Sequence, residues 1–77
     1  MRVVLYAREG CHLCETARDV IVAELARSVF TFDEVDIETS DELVKEYGIR
    51  IPVVTVDGEE RFEIEVDAAA FAAAVRG

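Results

Sequence analysis

The chain has 77 residues, enough for one compact core and too few for two domains, because a chain this small buries only about 60% of its unfolded surface. Its 52% hydrophobic and 32% charged residues are those of a globular domain, which excludes a disordered segment or a disulfide-dense mini-protein. Eight Lys and Arg against 17 Asp and Glu leave a net charge of −9, which repels nucleic-acid phosphates and anionic membranes, so neither is expected as a partner.

The apolar run Arg2 to Ala7, RVVLYA, predicts a first strand covered on both faces. With Arg8 and Glu9 directly behind it, the run is too short for a secretory signal or a membrane span, and a cytoplasmic protein is expected. From Cys11 to Arg27, the residues Leu13, Ala17, Val20, Ile21 and Leu25 recur at helical spacing without Gly or Pro, predicting a first helix. Phe30 to Ile37 reads as strand two, with a change of phase between Phe32 and Val35 that suggests a bend or bulge. Thr39, with Glu42 three residues on, forms a capping box for a short second helix that stops at Gly48. Pro52 to Val56 is strand three, and Asp57-Gly58 is a two-residue hairpin turn. Strand four follows, Phe62, Ile64 and Val66 alternating with Arg61, Glu63 and Glu65, its outward charges suiting a sheet edge. Asp67 caps an alanine-rich last helix that runs to about Val75.

The order β-α-β-α-β-β-α predicts an α/β fold, a four-stranded mixed sheet flanked by three helices. Helical crossovers would make the first three strands parallel, and the hairpin would add the fourth.

The only two cysteines, Cys11 and Cys14, stand where strand one hands over to helix one. In a reducing compartment a metal or redox role is the better reading of such a pair than a permanent staple. A zinc site needs two more ligands and His12 is the only histidine, so no metal site is expected within the chain. The strand-to-helix loop offers unpaired N–H groups and the positive end of the helix dipole, which favours the thiolate at Cys11. Cys14, one turn further in, lies on the same side of the helix, close enough to form a disulfide with Cys11. His12 is an exposed residue of the first turn able to act on that thiolate, and Arg8 is a loop arginine able to meet a thiolate or a substrate carboxylate. Asp36, at a strand end, reads as a solvated carboxylate.

The stretch YAREGCHLC on a strand–loop–helix, YGIRIPVV further along and the closing hairpin together resemble the glutaredoxin and thioredoxin superfamily. More narrowly, the chain is similar to the small glutaredoxin-like proteins of bacteria over essentially its whole length. The resemblance implies a thioredoxin-like fold in which Cys11 is the nucleophile and Cys14 the resolving thiol. It also implies that Ile51-Pro52 is a cis dipeptide beside the sulfurs, offering Ile51 backbone groups to the substrate. Two features depart from the better-known glutaredoxins. His12 and Leu13 stand between the cysteines in place of Pro and Tyr, and RFEIEVD replaces a Gly-Gly pair near the end of strand four.

The expected activity is therefore dithiol exchange on protein or small-molecule disulfides, by a monomer with no bound cofactor. Its electrons would come from glutathione or from a thioredoxin-reductase-like protein. Two other readings stay open: a module that holds iron–sulfur or other metal through Cys11 of two chains, and a redox-inert interaction domain with the same fold.

Overall fold

Alternate side chains of a strand face opposite sides of a sheet, so a run as apolar as RVVLYA has to be covered twice. In the computed structural model, which describes residues 1–76, that run is β1 (Arg2–Ala7), an inner strand of a sheet ordered β2-β1-β3-β4. The other elements are α1 (His12–Leu25), β2 (Thr31–Asp36), α2 (Asp41–Tyr47), β3 (Val53–Val56), β4 (Glu59–Glu63) and α3 (Ala68–Arg76). A 3-10 turn, Ile37–Thr39, leads into α2.

Val3, Leu5 and Ala7 pack with Val54, Val56 and Phe62 of the sheet, with Cys14, Ala17 and Ile21 of α1, and with Phe71 and Val75 of α3. Phe71 stands at the centre, its ring 5.7 Å from Phe30 and 6.0 Å from Phe62. On the opposite face Tyr6, whose cross-strand partner is Val53, stacks on Tyr47 of α2 at 4.3 Å. Arg50 lies over the Tyr47 ring and reaches Glu60 at 2.7 Å and Glu63 at 3.3 Å, lacing the end of α2 to β4. The result is three layers: α1 and α3, the sheet, and α2.

The sheet is mixed and four-stranded as expected, but only β1 and β2 are parallel. β3 runs antiparallel to β1, Val53 opposite Tyr6 and Val56 opposite Val3, which corrects the expectation of three parallel strands. β2 ends with Asp36 opposite Ala7, and β3 begins beside Tyr6, so the connection leaves and re-enters the sheet at one end. A helix of seven residues, about 10 Å long, turns the chain round there instead of carrying it back along about 20 Å of strand.

The bulge lies elsewhere than expected. β1 and β2 keep an unbroken register from Arg2↔Thr31 to Ala7↔Asp36. The phase change in β2 arises because Phe32, opposite Val3, serves the α1–α3 face, whereas Val35, opposite Tyr6, serves the other. The irregularity falls between β3 and β4, where Val54 pairs with Phe62 but Thr55 pairs with Glu60, leaving Arg61 as the extra residue. The hairpin turn forms at Asp57 (φ 52°) and Gly58 (φ 86°), both left-handed as such a turn requires. β4 spans Glu59–Glu63 and stops before the predicted Ile64 and Val66, because Ile64 adopts φ 69° and turns the chain towards α3.

Three helix details also differ. The buried stripe of α1 is Cys14, Ala17, Ile21 and Glu24, while Leu13 and Leu25 remain 45% and 40% exposed. Glu24 is tolerated there because Ser28 Oγ donates to it at 2.5 Å and Arg76 Nε of α3 at 2.9 Å, with Arg27 at 3.3 Å. Ser40, not Thr39, caps α2, its Oγ accepting from the Leu43 N–H. Thr39 is consumed by the 3-10 turn, where its hydroxyl donates to the Asp36 carbonyl at 2.7 Å. Gly48 ends α2 in right-handed geometry, and a Cβ on it would stand 2.4 Å from the Val44 carbonyl oxygen. Asp67 caps α3 as expected, Oδ2 accepting from the Ala70 N–H at 2.9 Å.

Candidate active site

β1 ends at the same edge of the sheet where β3 begins, and this brings two separate stretches of chain together. One is the loop from Arg8 into α1. Gly10 turns it with φ 82°, a value an L side chain adopts only under strain, and releases Cys11 as the N-cap of α1. The other is the Ile51-Pro52 bond, which is cis, with Pro52 fully buried and Ile51 half-buried. Cys11 and Ile51 both pack against the main core cluster.

Both thiols are free. Cys11 is partly exposed, and its Sγ accepts the backbone N–H of Cys14 at 3.1 Å. In most N-caps a Ser, Thr, Asp or Asn oxygen fills that position, and a sulfur placed there is aimed at the unpaired amides of the first turn. Cys14 is wholly buried. Burial, and then the hydrogen bond with Cys11, push its thiol from an ordinary 9.0 to about 11, against smaller opposing pulls from the Arg8 backbone and the Arg18 charge. The two sulfurs therefore differ in kind, one partly exposed and one held neutral in the core.

The other candidate residues are placed less centrally. Arg8 donates to Glu38 Oε1 from Nε at 3.0 Å and from its terminal nitrogen at 2.5 Å, so its charge is already engaged. His12 is 98% exposed, with Nδ1 3.6 Å from a Glu15 carboxylate oxygen. Asp36 is exposed, and its carboxylate accepts the Glu38 N–H at 2.9 Å. Among the described residues no three His, Cys, Asp or Glu side chains gather where they would hold a metal ion. Also among them, no helix is long and apolar enough to cross a membrane.

Sequence reasoning missed a groove of about 580 Å³ between the start of α1 and the β4–α3 connection. Leu13, Phe62, Ile64 and Val66 give it an apolar lining, and Glu65 and Asp67 give it an acidic rim. The available signal was Leu13, which belongs to the apolar set of α1 but neighbours Cys14 off the face that meets the sheet. Also missed was Arg18, one turn after Cys14, whose Nε donates to Glu34 Oε1 at 2.6 Å and whose terminal nitrogen meets the other carboxylate oxygen. That pairing joins α1 to the edge strand β2 and cannot be read from either segment alone.

The fold matches solved structures along nearly its full length. The protein XcR50 of X. campestris shares 30% of residues over 96% of this chain and 95% of its own, with a TM-score of 0.76. Protein Ne2328 of Nitrosomonas europaea shares 29% over 96% and 89%, with a TM-score of 0.79. A thioredoxin mutant from Halobacterium salinarum shares 20% over 97% and 71% with a TM-score of 0.69, a likeness of fold alone. No curated protein matches. The model of the glutaredoxin-like domain (DUF836) matches residues 2–76. With Cys11 and Cys14 at the head of α1 and the cis Ile51-Pro52 bond at the same end of a thioredoxin-like sheet, the chain belongs to that glutaredoxin-like family.

Proposed function

We propose that the protein is a dithiol oxidoreductase that reduces protein or small-molecule disulfides through Cys11 and Cys14. The Cys11 thiolate attacks one sulfur of the substrate disulfide, forming a mixed disulfide and expelling the other sulfur as a thiolate that takes a proton from water. Cys14 then loses its proton and attacks Cys11 Sγ. The bond to substrate breaks, the second substrate thiol leaves, and the Cys11–Cys14 disulfide carries the two electrons' worth of oxidation.

The observation that carries this reading is the division between the sulfurs: Cys11 reachable and receiving the Cys14 N–H at 3.1 Å, Cys14 buried and neutral. The Cys14 N–H is aimed at the attacking sulfur, and the shared turn of α1 keeps the resolving sulfur within reach. Ile51, entering β3 at the same end, offers backbone groups to a substrate segment, while Arg8 and His12 stand at the margin of the site.

The apolar groove beside Leu13 and Ile64 supports a protein segment as substrate. The stretch RFEIEVD stands where a Gly-Gly pair would let glutathione approach the backbone, which makes a thioredoxin-reductase-like protein an alternative donor to glutathione. Action in the cytoplasm as a monomer without bound cofactor completes the proposal.

Turnover with a disulfide substrate tests it. Cys11→Ser is expected to abolish turnover, and Cys14→Ser to accumulate a mixed disulfide with substrate that appears as an added mass. An active Cys11→Ser protein would end this reading. Equilibration against glutathione redox ratios is expected to give a reversible midpoint between about −270 and −180 mV.

A further inference from the structure

Leu13 and Ile64 are two large apolar side chains that the fold leaves about half in water, each 45% exposed. They come from distant segments yet line one groove of about 580 Å³, whose apolar lining Phe62 and Val66, packed on the core, complete.

The groove adjoins the exchange site on two sides. Leu13 stands between the two cysteines, in the first turn of α1. Ile64 is tied to the other side by hydrogen bonds: its N–H is shared between the Pro52 carbonyl at 2.8 Å and the Arg50 carbonyl at 3.2 Å, the residues flanking Ile51. A segment whose sulfur meets Cys11 near Ile51 thus has this groove as the next surface along it. Ile64 holds its place at φ 69°, a left-handed geometry that a β-branched side chain adopts only under strain. Glycine would turn the chain there freely and would leave the groove without that wall.

Charge decides what the groove receives. Glu65 and Asp67 stand on its rim, and none of the described residues that line it is Lys, Arg or His. Asp67 also answers the positive end of α3, its Oδ2 accepting the Ala70 N–H at 2.9 Å, so that helix end is not left open to a ligand carboxylate. The net charge of −9 acts in the same direction, repelling anions and drawing cations in.

We propose that this groove selects, as substrate, a protein segment with an apolar side chain next to its disulfide cysteine and Lys or Arg close by. The apolar group packs between Leu13 and Ile64, and the cation meets Glu65 and Asp67. The selection rests on the dithiol exchange proposed above, whose chemistry it leaves unchanged.

The test uses the full reduced chain and short single-cysteine peptides, each activated as a mixed disulfide with 2-thiopyridine. Attack of the Cys11 thiolate on the peptide sulfur forms the Cys11–peptide bond and expels pyridine-2-thione, whose absorbance gives the second-order rate. Cys14 then displaces the peptide as a thiol. Each rate is divided by that of the same peptide with mercaptoethanol, which removes differences in intrinsic reactivity. A peptide with Leu beside Cys and two Lys is expected to react about tenfold faster than its two-Glu counterpart, and about fivefold faster than one with Ala for Leu.

Glu65→Gln with Asp67→Asn, which keeps the α3 cap, is expected to bring the Lys-to-Glu ratio below about threefold. Asp33→Asn with Glu42→Gln makes the same charge change on α2 and on β2, the sheet edge opposite β4, and should alter the ratio less than about twofold. Ile64→Gly is expected to lose the preference for Leu, while its rate with uncharged dithiodipyridine changes less than about twofold. Equal rates for the Lys and Glu peptides in the wild type would overturn the proposal. So would an equal fall of the ratio in both double variants, or equal slowing of Ile64→Gly on every substrate. Glutathione activated in the same way and reacting as fast as the Lys peptide would also overturn it, marking the groove as a glutathione site. Dithiodipyridine reacting equally with the wild type and Cys11→Ser would instead refute the exchange reading itself, a result distinguishable from all of these.

Discussion

Raising the pH should destabilise this protein through Cys14, and replacing that residue by alanine should remove the effect. The Cys14 thiol stands at about 11 in the fold against an ordinary 9.0. Between those values the folded chain retains a proton that the unfolded chain has released, so stability falls as pH rises. The slope is at most about 1.4 kcal/mol per unit, or about 2.7 kcal/mol across the interval. Solvent screening reduces that figure, and a loss of roughly 1–2 kcal/mol is expected. The assay is urea unfolding under reducing conditions at pH 8 and near pH 11 for the wild type and Cys14→Ala. Tyr47, whose hydroxyl is also pushed up by burial and by Tyr6, titrates in both proteins and cancels in the comparison. The alanine variant should be the less stable at pH 8, because it leaves a small hole in the core, and the gap should narrow by that amount towards pH 11. A gap that stays constant within about 0.3 kcal/mol would refute the claim that folding holds Cys14 neutral.

Phe71→Ala should cost about 3–5 kcal/mol in urea unfolding, against a total stability of roughly 4–12 kcal/mol for a chain of this length, and Phe71→Leu about 1 kcal/mol. Glu24→Gln should be less stable than the wild type at neutral pH. The Glu24 carboxyl is held below its ordinary 4.5, chiefly by the Ser28 hydroxyl and then by Arg27 and Arg76. Its contribution is therefore present above that value and lost as pH falls through the lowered one, so the two urea midpoints should converge in acid. Leu13→Asp places a charge in the groove, and removing roughly 1 kcal/mol of apolar contact should raise KM for a protein disulfide about fivefold, more than for a small disulfide. Equal KM changes for both substrates would show that the groove does not receive protein.

Much of this molecule could be read along the chain. β1, the body of α1, the Asp57-Gly58 turn, the Asp67 cap and the pair Cys11 and Cys14 are local patterns, in which spacing, turn chemistry and capping act over a few residues. The same is true of the buried pair Phe71 and Val75 within a run of alanines. The cis geometry of Ile51-Pro52 was legible only by resemblance, since most X-Pro bonds are trans.

Where the sequence misled, the deciding contact lay between distant segments. Thr39 looked like a cap until the 3-10 turn on Asp36 claimed its hydroxyl. Leu13 and Leu25 fitted the apolar period of α1, yet the sheet accepted the stripe containing Glu24 because Arg76, far along the chain, neutralises that carboxylate. The sequence alone determined which segments form strands and helices and where the two thiols stand in that order, since both follow from short-range periodicity. The tertiary structure alone decided that β3 runs back against β1, that Ile64 turns to open the groove, and that Arg18 of α1 is clamped to Glu34 of β2. Strand direction, a left-handed residue and an ion pair across layers are set by which segments are brought together, and no local pattern encodes that.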